Sequence, residues 1–147
     1  MVRIDVLRAQ HDEALAMAER LVELAGNFDA RTAAIPLLMQ LNRLLGLLRV
    51  HLAHEDVELY PALMASGDPH AVRTAERFGD EMGGLAIEIE CFARRWSCSA
   101  SIAANIGEFR QEAHQLLLAL AVRIERENLH LYPLAEAESR QQTRRAA

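Results

Sequence analysis

Apolar residues recur at every third or fourth position along most of the chain, and no run alternates Val, Ile, Thr or aromatic residues with polar ones. Such a period places the apolar side chains on one face of a helix, whereas a half-buried strand needs a period of two. The chain is therefore confined to an all-α fold. Four amphipathic segments emerge. The first spans roughly Ile4 to Ala25 with Leu7, Ala14, Ala18 and Leu21 in its stripe, and Gly26-Asn27 supplies a stop. The second carries Leu37, Leu41, Leu44 and Leu48 and continues to about Met64; Thr32 offers an early cap and Pro36 a first-turn position. Ser66-Gly67-Asp68-Pro69 is a strong break, with Gly67 as stop, Asp68 as N-cap and Pro69 in the next first turn. The third segment runs through Phe78, Leu85, Ile89 and Phe92 to about Trp96. After the polar stretch Ser97 to Ser101, the fourth runs through Ile102, Phe109, Leu116, Leu120, Ile124 and Leu131 to about Ala137. Mostly short connections favour an antiparallel up-down-up-down four-helix bundle.

At 147 residues the chain is long enough for one domain with a real core. We expect that domain over residues 1–138, with 139–147 a polar C-terminal tail that frays. Apolar residues are 51% but aromatics only 5%, so the core is built from Leu and Ala. The 21 acidic residues outnumber 16 basic ones, and every basic residue is Arg, scattered along the chain. No basic stripe exists for nucleic acid. No apolar run is long enough to span a membrane, the start from Met1 to Asp5 has no apolar run like the core of a leader segment, and two cysteines (Cys91 and Cys98) make no disulfide framework. A cytoplasmic protein with ordinary free thiols is the expectation.

A weak internal repeat links the second and fourth segments. His51-Leu-Ala-His-Glu55-Asp-Val-Glu-Leu59-Tyr60-Pro61 is echoed by Arg123-Ile-Glu-Arg-Glu127-Asn-Leu-His-Leu131-Tyr132-Pro133, with Glu, Leu, Tyr and Pro at a constant offset of 72 (127 minus 55, 133 minus 61). Each proline should bend the last turns of its helix. Tyr60 and Tyr132 read as packing residues at the rim of the core, placed where a hydroxyl can reach a site.

The informative residues are polar ones on apolar faces. At about 100° per residue, Glu55 falls in the middle of the Leu37–Leu48 stripe and His51 lies about 40° from it. Glu127 lines up with Phe109, Leu116, Leu120 and Ile124, His11 continues the stripe of Leu7 and Ala14, and Glu81 sits on the flank of the third stripe. Ionisable groups on core faces are costly unless paired, hydrogen-bonded or metal-bound. At about 1.5 Å rise per residue, in an up-down bundle all of these fall within a turn or two of one level. His54, His70, His114 and His130 lie to the side of the stripes or at other levels and read as exposed or rim histidines. An imidazole and a carboxylate four residues apart can ligate one ion from one helix, with carboxylates of facing helices completing the shell. A nitrogen–oxygen set of His11, His51, Glu55, Glu81 and Glu127 suits iron, manganese or zinc, and no thiolate lies at this level for an iron–sulfur cluster.

At His11-Asp12, His51-x-x-x-Glu55, the two Leu-Tyr-Pro endings and Glu127, the chain resembles the hemerythrin-like (HHE cation-binding) family over about residues 5–137. The resemblance implies a four-helix bundle around a non-haem di-iron centre held by histidines and carboxylates, binding oxygen or another small ligand, or sensing iron, oxygen or nitric oxide. It carries His11, His51, Glu55 and Glu127 over as ligands. The third helix departs from the family, with Arg77 and Glu81 where histidines are expected, and Arg123 replaces the fourth-helix histidine. Two arrangements stay open. Either the arginines turn outward and the His/Glu set holds one or two metal ions, or they turn inward and pair with Glu81 and Glu127 in a metal-free network, since Arg forks match carboxylates well. The first implies a metal-binding sensor or store, the second an interaction or regulatory module. A di-metal oxidase is the third reading, by fold-level analogy with carboxylate-rich bundles.

Overall fold

The computed structural model describes residues 2–147, and among them every regular element is helical. Helix α1 (Ile4–Gly26) leads through a loop to α2 (Ile35–His54), a π-helical turn (Glu55–Leu59) and the short α3 (Tyr60–Met64). Helix α4 (Pro69–Arg95) follows, then α5 (Ser99–Ala104), α6 (Ile106–Arg126), a second π-helical turn (Glu127–Leu131) and α7 (Tyr132–Ala146). Helix α1 packs on α2 and α6, and α4 packs on α3, α2 and α6, so α1 and α4 stand diagonally opposite. Cross-links at the start of α6 fix the antiparallel sense. Arg110, near the start of α6, caps the end of α1 by donating to the carbonyls of Ala25 and Phe28, both at 2.6 Å. At the end of α4, Arg95 meets Glu108 and Glu112 of α6, and the buried Trp96 indole donates to Glu112 at 2.8 Å. No described helix is long and apolar enough to cross a membrane.

The strong break behaves as its residues require. Gly67 takes φ +77°, a left-handed conformation that costs glycine little. The Asp68 carboxylate accepts from the His70 N–H at 2.9 Å, and Pro69 sits where its missing N–H is not needed. Helix α2 starts at Ile35 with Pro36 in its first turn; Thr32 instead closes a local turn with Asp29. One expectation needs correction. The fourth segment is not one helix, because Asn105 leaves helical geometry (φ −131°, ψ 42°) and turns its amide onto the Ser101 carbonyl, dividing α5 from α6. The tail beyond Ser139 has helical geometry; with neither Gly nor Pro beyond Pro133, α7 continues to Ala146 as an exposed helix.

The prolines act as expected in place but not in form. Pro61 has no N–H and its ring crowds the carbonyl four residues back, as does that of Pro133. Instead of a simple bend, each helix widens by one residue just before its proline: the Tyr60 N–H bonds the Glu55 carbonyl, and the Tyr132 N–H bonds that of Glu127. This explains a spacing an α-helix does not sustain. His51, Glu55, Leu59 and Leu63 are all buried at steps of four, as are Arg123, Glu127, Leu131 and Ala135. Each such step drifts about 40° round an α-helix, and the wider turn takes that drift back.

The core is split into two apolar layers. The larger holds Leu21, Leu37, Leu41, Leu44, Phe109 and Leu116, among others, and the smaller holds Leu7, Leu59, Leu63, Phe78, Leu131 and Tyr132. Burying each such Leu or Phe contributes on the order of 1.5–3 kcal/mol. Between the two layers lies a single polar stratum.

Candidate metal centre

That stratum consists of His11 from α1, His51 from α2, Glu55 and Glu127 from the first residues of the two π turns, and Arg123 from α6, all at most 6% exposed. One ligand atom from each of His11, His51, Glu55 and Glu127 lies within 4.8 Å of all the others. His11 Nε2 stands 3.0 Å from Glu127 Oε2, and His51 Nε2 stands 3.5 Å from Glu55 Oε1. The two imidazole centroids are 4.6 Å apart.

The outer side of each imidazole decides what the inner side offers. His11 Nδ1 lies 3.0 Å from Asn128 Oδ1, and Arg8, which can only donate, holds that same oxygen at 3.2 Å. His51 Nδ1 lies 3.0 Å from Gln10 Oε1, while the Gln10 amide nitrogen meets His54 at 3.2 Å. Amide oxygens accept, so each Nδ1 carries a hydrogen and each Nε2 presents a lone pair inward. Lone pairs facing carboxylate oxygens require a positive charge between them, either a proton or a cation. The Tyr132 hydroxyl donates to Glu55 Oε1 at 2.9 Å and also lies 3.0 Å from His11 Nε2. Burial, and then the Glu55 and Glu127 carboxylates, push its phenol well above the usual range, so it keeps its proton. Glu55 Oε2 is buried without a partner. Two imidazole nitrogens and two carboxylates converging on one point, with one carboxylate oxygen free, fit a single nitrogen–oxygen-ligated divalent ion.

Arginine divides the two arrangements left open by the sequence. Arg123 turns inward: Nε donates to Glu127 Oε1, and Nη2 donates to the Tyr60 hydroxyl at 3.1 Å and the Phe78 carbonyl at 2.9 Å. Arg77 stays exposed, with its guanidinium 5.7 Å from the Phe78 ring centroid. Burial raises the Glu127 carboxyl, but a proton held between it and His11 Nε2, together with the Arg123 charge, outweighs burial and holds the group below the ordinary carboxylate range. Glu81 is not part of the converging set. It is exposed at the rim, 2.6 Å from Arg126 Nη1 and 3.7 Å from Arg123 Nη1, and the Arg126 hydrogen bond holds its carboxyl low. The inward places on α4 at this level belong to Phe78 and Met82. So α4 brings no ligand to the site.

The family model for the hemerythrin HHE cation binding domain matches residues 2–135. The chain belongs to the hemerythrin family. No curated protein and no solved structure matches it. The cation-binding character of the hemerythrin domain and the buried His/Glu cluster together fit a metal-binding protein. Against the family pattern, this hemerythrin bundle has an arginine guanidinium where the fourth helix is expected to bring a histidine.

Gln10 and Asn128 were missed in the sequence, though each is the chain neighbour of a converging residue. Groups that orient ligating imidazoles commonly change metal affinity about 10–100-fold. Asn128→Leu and Gln10→Leu should each weaken Zn(II) binding by about that factor. Asn128→Asp, which keeps an acceptor for His11 Nδ1, should retain most of the affinity. Isothermal titration of chelator-treated protein measures both. Equal affinity across the set would mean that the amides do not orient the imidazoles.

Proposed function

We propose that this hemerythrin domain holds one metal ion, of the iron class with zinc or manganese as substitutes, and serves to sense or store that ion or a small ligand such as oxygen. The observation that carries the reading is the convergence of His11, His51, Glu55 and Glu127 with both Nε2 lone pairs turned inward. When bound, the ion supplies a Lewis-acidic centre that accepts a small ligand. The chain does the rest. Glu55 and Glu127 contribute two negative charges, and Arg123 cancels one, leaving −1 to meet a cation. Asn128 and Gln10 fix the imidazoles, and Tyr132 holds Glu55 Oε1. Leu48, Met82, Leu120 and Ile124 wall a cavity of about 20 Å³ beside these groups, with little room for more than one small molecule. A second ion would need donors from α4, where Phe78 and Met82 stand, and the place facing Glu127 Oε1 is filled by Arg123. This argues for a binding protein over a dinuclear oxidase.

The inward Arg123 also supports a second reading, a metal-free regulatory module in which one protonated histidine brings the layer to neutrality. Elemental analysis of protein purified without chelator separates the two. About one iron, zinc or manganese per chain is expected, falling to background in a His51→Ala/Glu55→Ala variant. No metal above that variant overturns the first reading and favours the second; two ions per chain would overturn the single-ion assignment.

A further inference from the structure

Between α2–α3 and α4 an open groove of about 380 Å³ runs in from the surface to the first π turn. Its walls carry the exposed carboxylates Asp56, Glu76 and Asp80 and no cationic side chain. Glu55 is the only member of the converging set that lines it. The same Glu55, with Leu52 and Met82, also lines the small inner cavity that reaches His11, His51 and Glu127. Those three residues are thus the partition between solvent and site. Glu55 is 0% exposed, with Oε1 held by Tyr132 and Oε2 free of any partner. Arg123 is matched by Glu127, so the uncompensated charge of the layer rests on Glu55.

Resting on the single-ion reading, we propose that this groove is the loading route for the ion. Asp56, Glu76 and Asp80 gather a divalent cation, and Glu55 Oε2 is the first inner ligand it meets, past the flexible thioether of Met82. Clefts lined by one sign of charge raise local counter-ion concentration and on-rates. Unbranched methionine gives way more easily than a branched side chain. The π turn contributes by setting Asp56 and Glu55 side by side at the groove and its floor, and the small residues Gly79 and Gly83 keep the α4 wall low.

Plugging the groove distinguishes a route from a site. A Cβ at Gly83 meets nothing within 4 Å, so Gly83→Leu starts its side chain from an unobstructed position on the groove wall. Gly84 is equally unobstructed but does not line the groove, and Gly84→Leu controls for the change in helix propensity. Zn(II) uptake by chelator-treated protein and release to excess chelator are followed by stopped flow. Gly83→Leu should slow both by about tenfold, within the one to three decades over which entry rates vary among variants of one site. Affinity and stoichiometry should be unchanged, because a blocked path hinders entry and exit alike. Gly84→Leu should behave as the unaltered chain. Uptake by Gly83→Leu at the unaltered rate overturns the route while leaving the single-ion reading standing. Failure of the unaltered chain to bind Zn(II) at all overturns that reading and the route with it.

Discussion

Replacing Glu127 with leucine should lower the stability of the metal-free protein by about 3 kcal/mol and abolish tight metal binding. The penalty comes from the group left behind. Arg123 is 6% exposed, and its Nη1 already lacks a partner. Without Glu127 the guanidinium keeps only the Tyr60 hydroxyl and the Phe78 carbonyl, both uncharged acceptors. Removing one member of a buried ion pair typically costs about 3–5 kcal/mol. The lower end applies because Glu81 stands 3.7 Å from Nη1 and can take up part of the charge. Leucine nearly fills the vacated space, so a cavity adds little. Urea denaturation in the presence of chelator should show a lower midpoint with an unchanged slope. A loss below about 1 kcal/mol would mean that water reaches Arg123 and that the layer is not dry.

The balance of burial and charge also explains what could be read from the sequence and what could not. The all-helical bundle and its breaks were legible because period and caps are local: Asp68 and Gly67 act within one turn of themselves. His11, His51, Glu55 and Glu127 were legible because each lies inside an apolar stripe at a common level, and helix geometry converts sequence spacing into position. Glu81 was misplaced for two reasons. One residue is about 100° of rotation, so a flank position turns inward or outward according to its neighbours. Here Met82 takes the inside, and Arg126 of the adjacent helix draws Glu81 outward through a contact distant in sequence. The facing of Arg77 and Arg123 was likewise undecided by spacing. Arg123 is drawn in by Glu127, Tyr60 and the Phe78 carbonyl, partners from three segments, whereas Arg77 has no buried acceptor among its contacts. The repeat at an offset of 72 marked both π turns without revealing them: two prolines at matched distances signal a disturbance of the helix, but widening rather than bending depends on how each carbonyl can be satisfied.

Replacing Arg123 with leucine should produce the largest dependence of stability on metal. In the metal-free protein the substitution leaves Glu55 and Glu127, 0% and 2% exposed, with only the two imidazoles to neutralise them. The expected cost is again about 3–5 kcal/mol for an uncompensated buried charge. A divalent cation at the site supplies the missing positive charge. The guanidinium also ceases to occupy Glu127 Oε1, so affinity for Zn(II) should rise by about tenfold, or about 1.4 kcal/mol. A ligand that binds only the folded state stabilises it by about 2.7 kcal/mol at a hundred times its Kd. At one fixed Zn(II) concentration the stabilisation should therefore be larger in Arg123→Leu than in the unaltered chain by the whole affinity gain. The two opposing signs are the distinctive outcome: less stable than the unaltered chain in chelator, and more strongly stabilised by metal. Chemical denaturation of both proteins with chelator and with Zn(II) measures the four free energies of the cycle. Equal stabilisation of both by metal would show that Arg123 does not compete for the site's charge, and that its guanidinium fixes bundle register instead. A metal response confined to Arg123→Leu would show that the native arginine has taken over the cation's place.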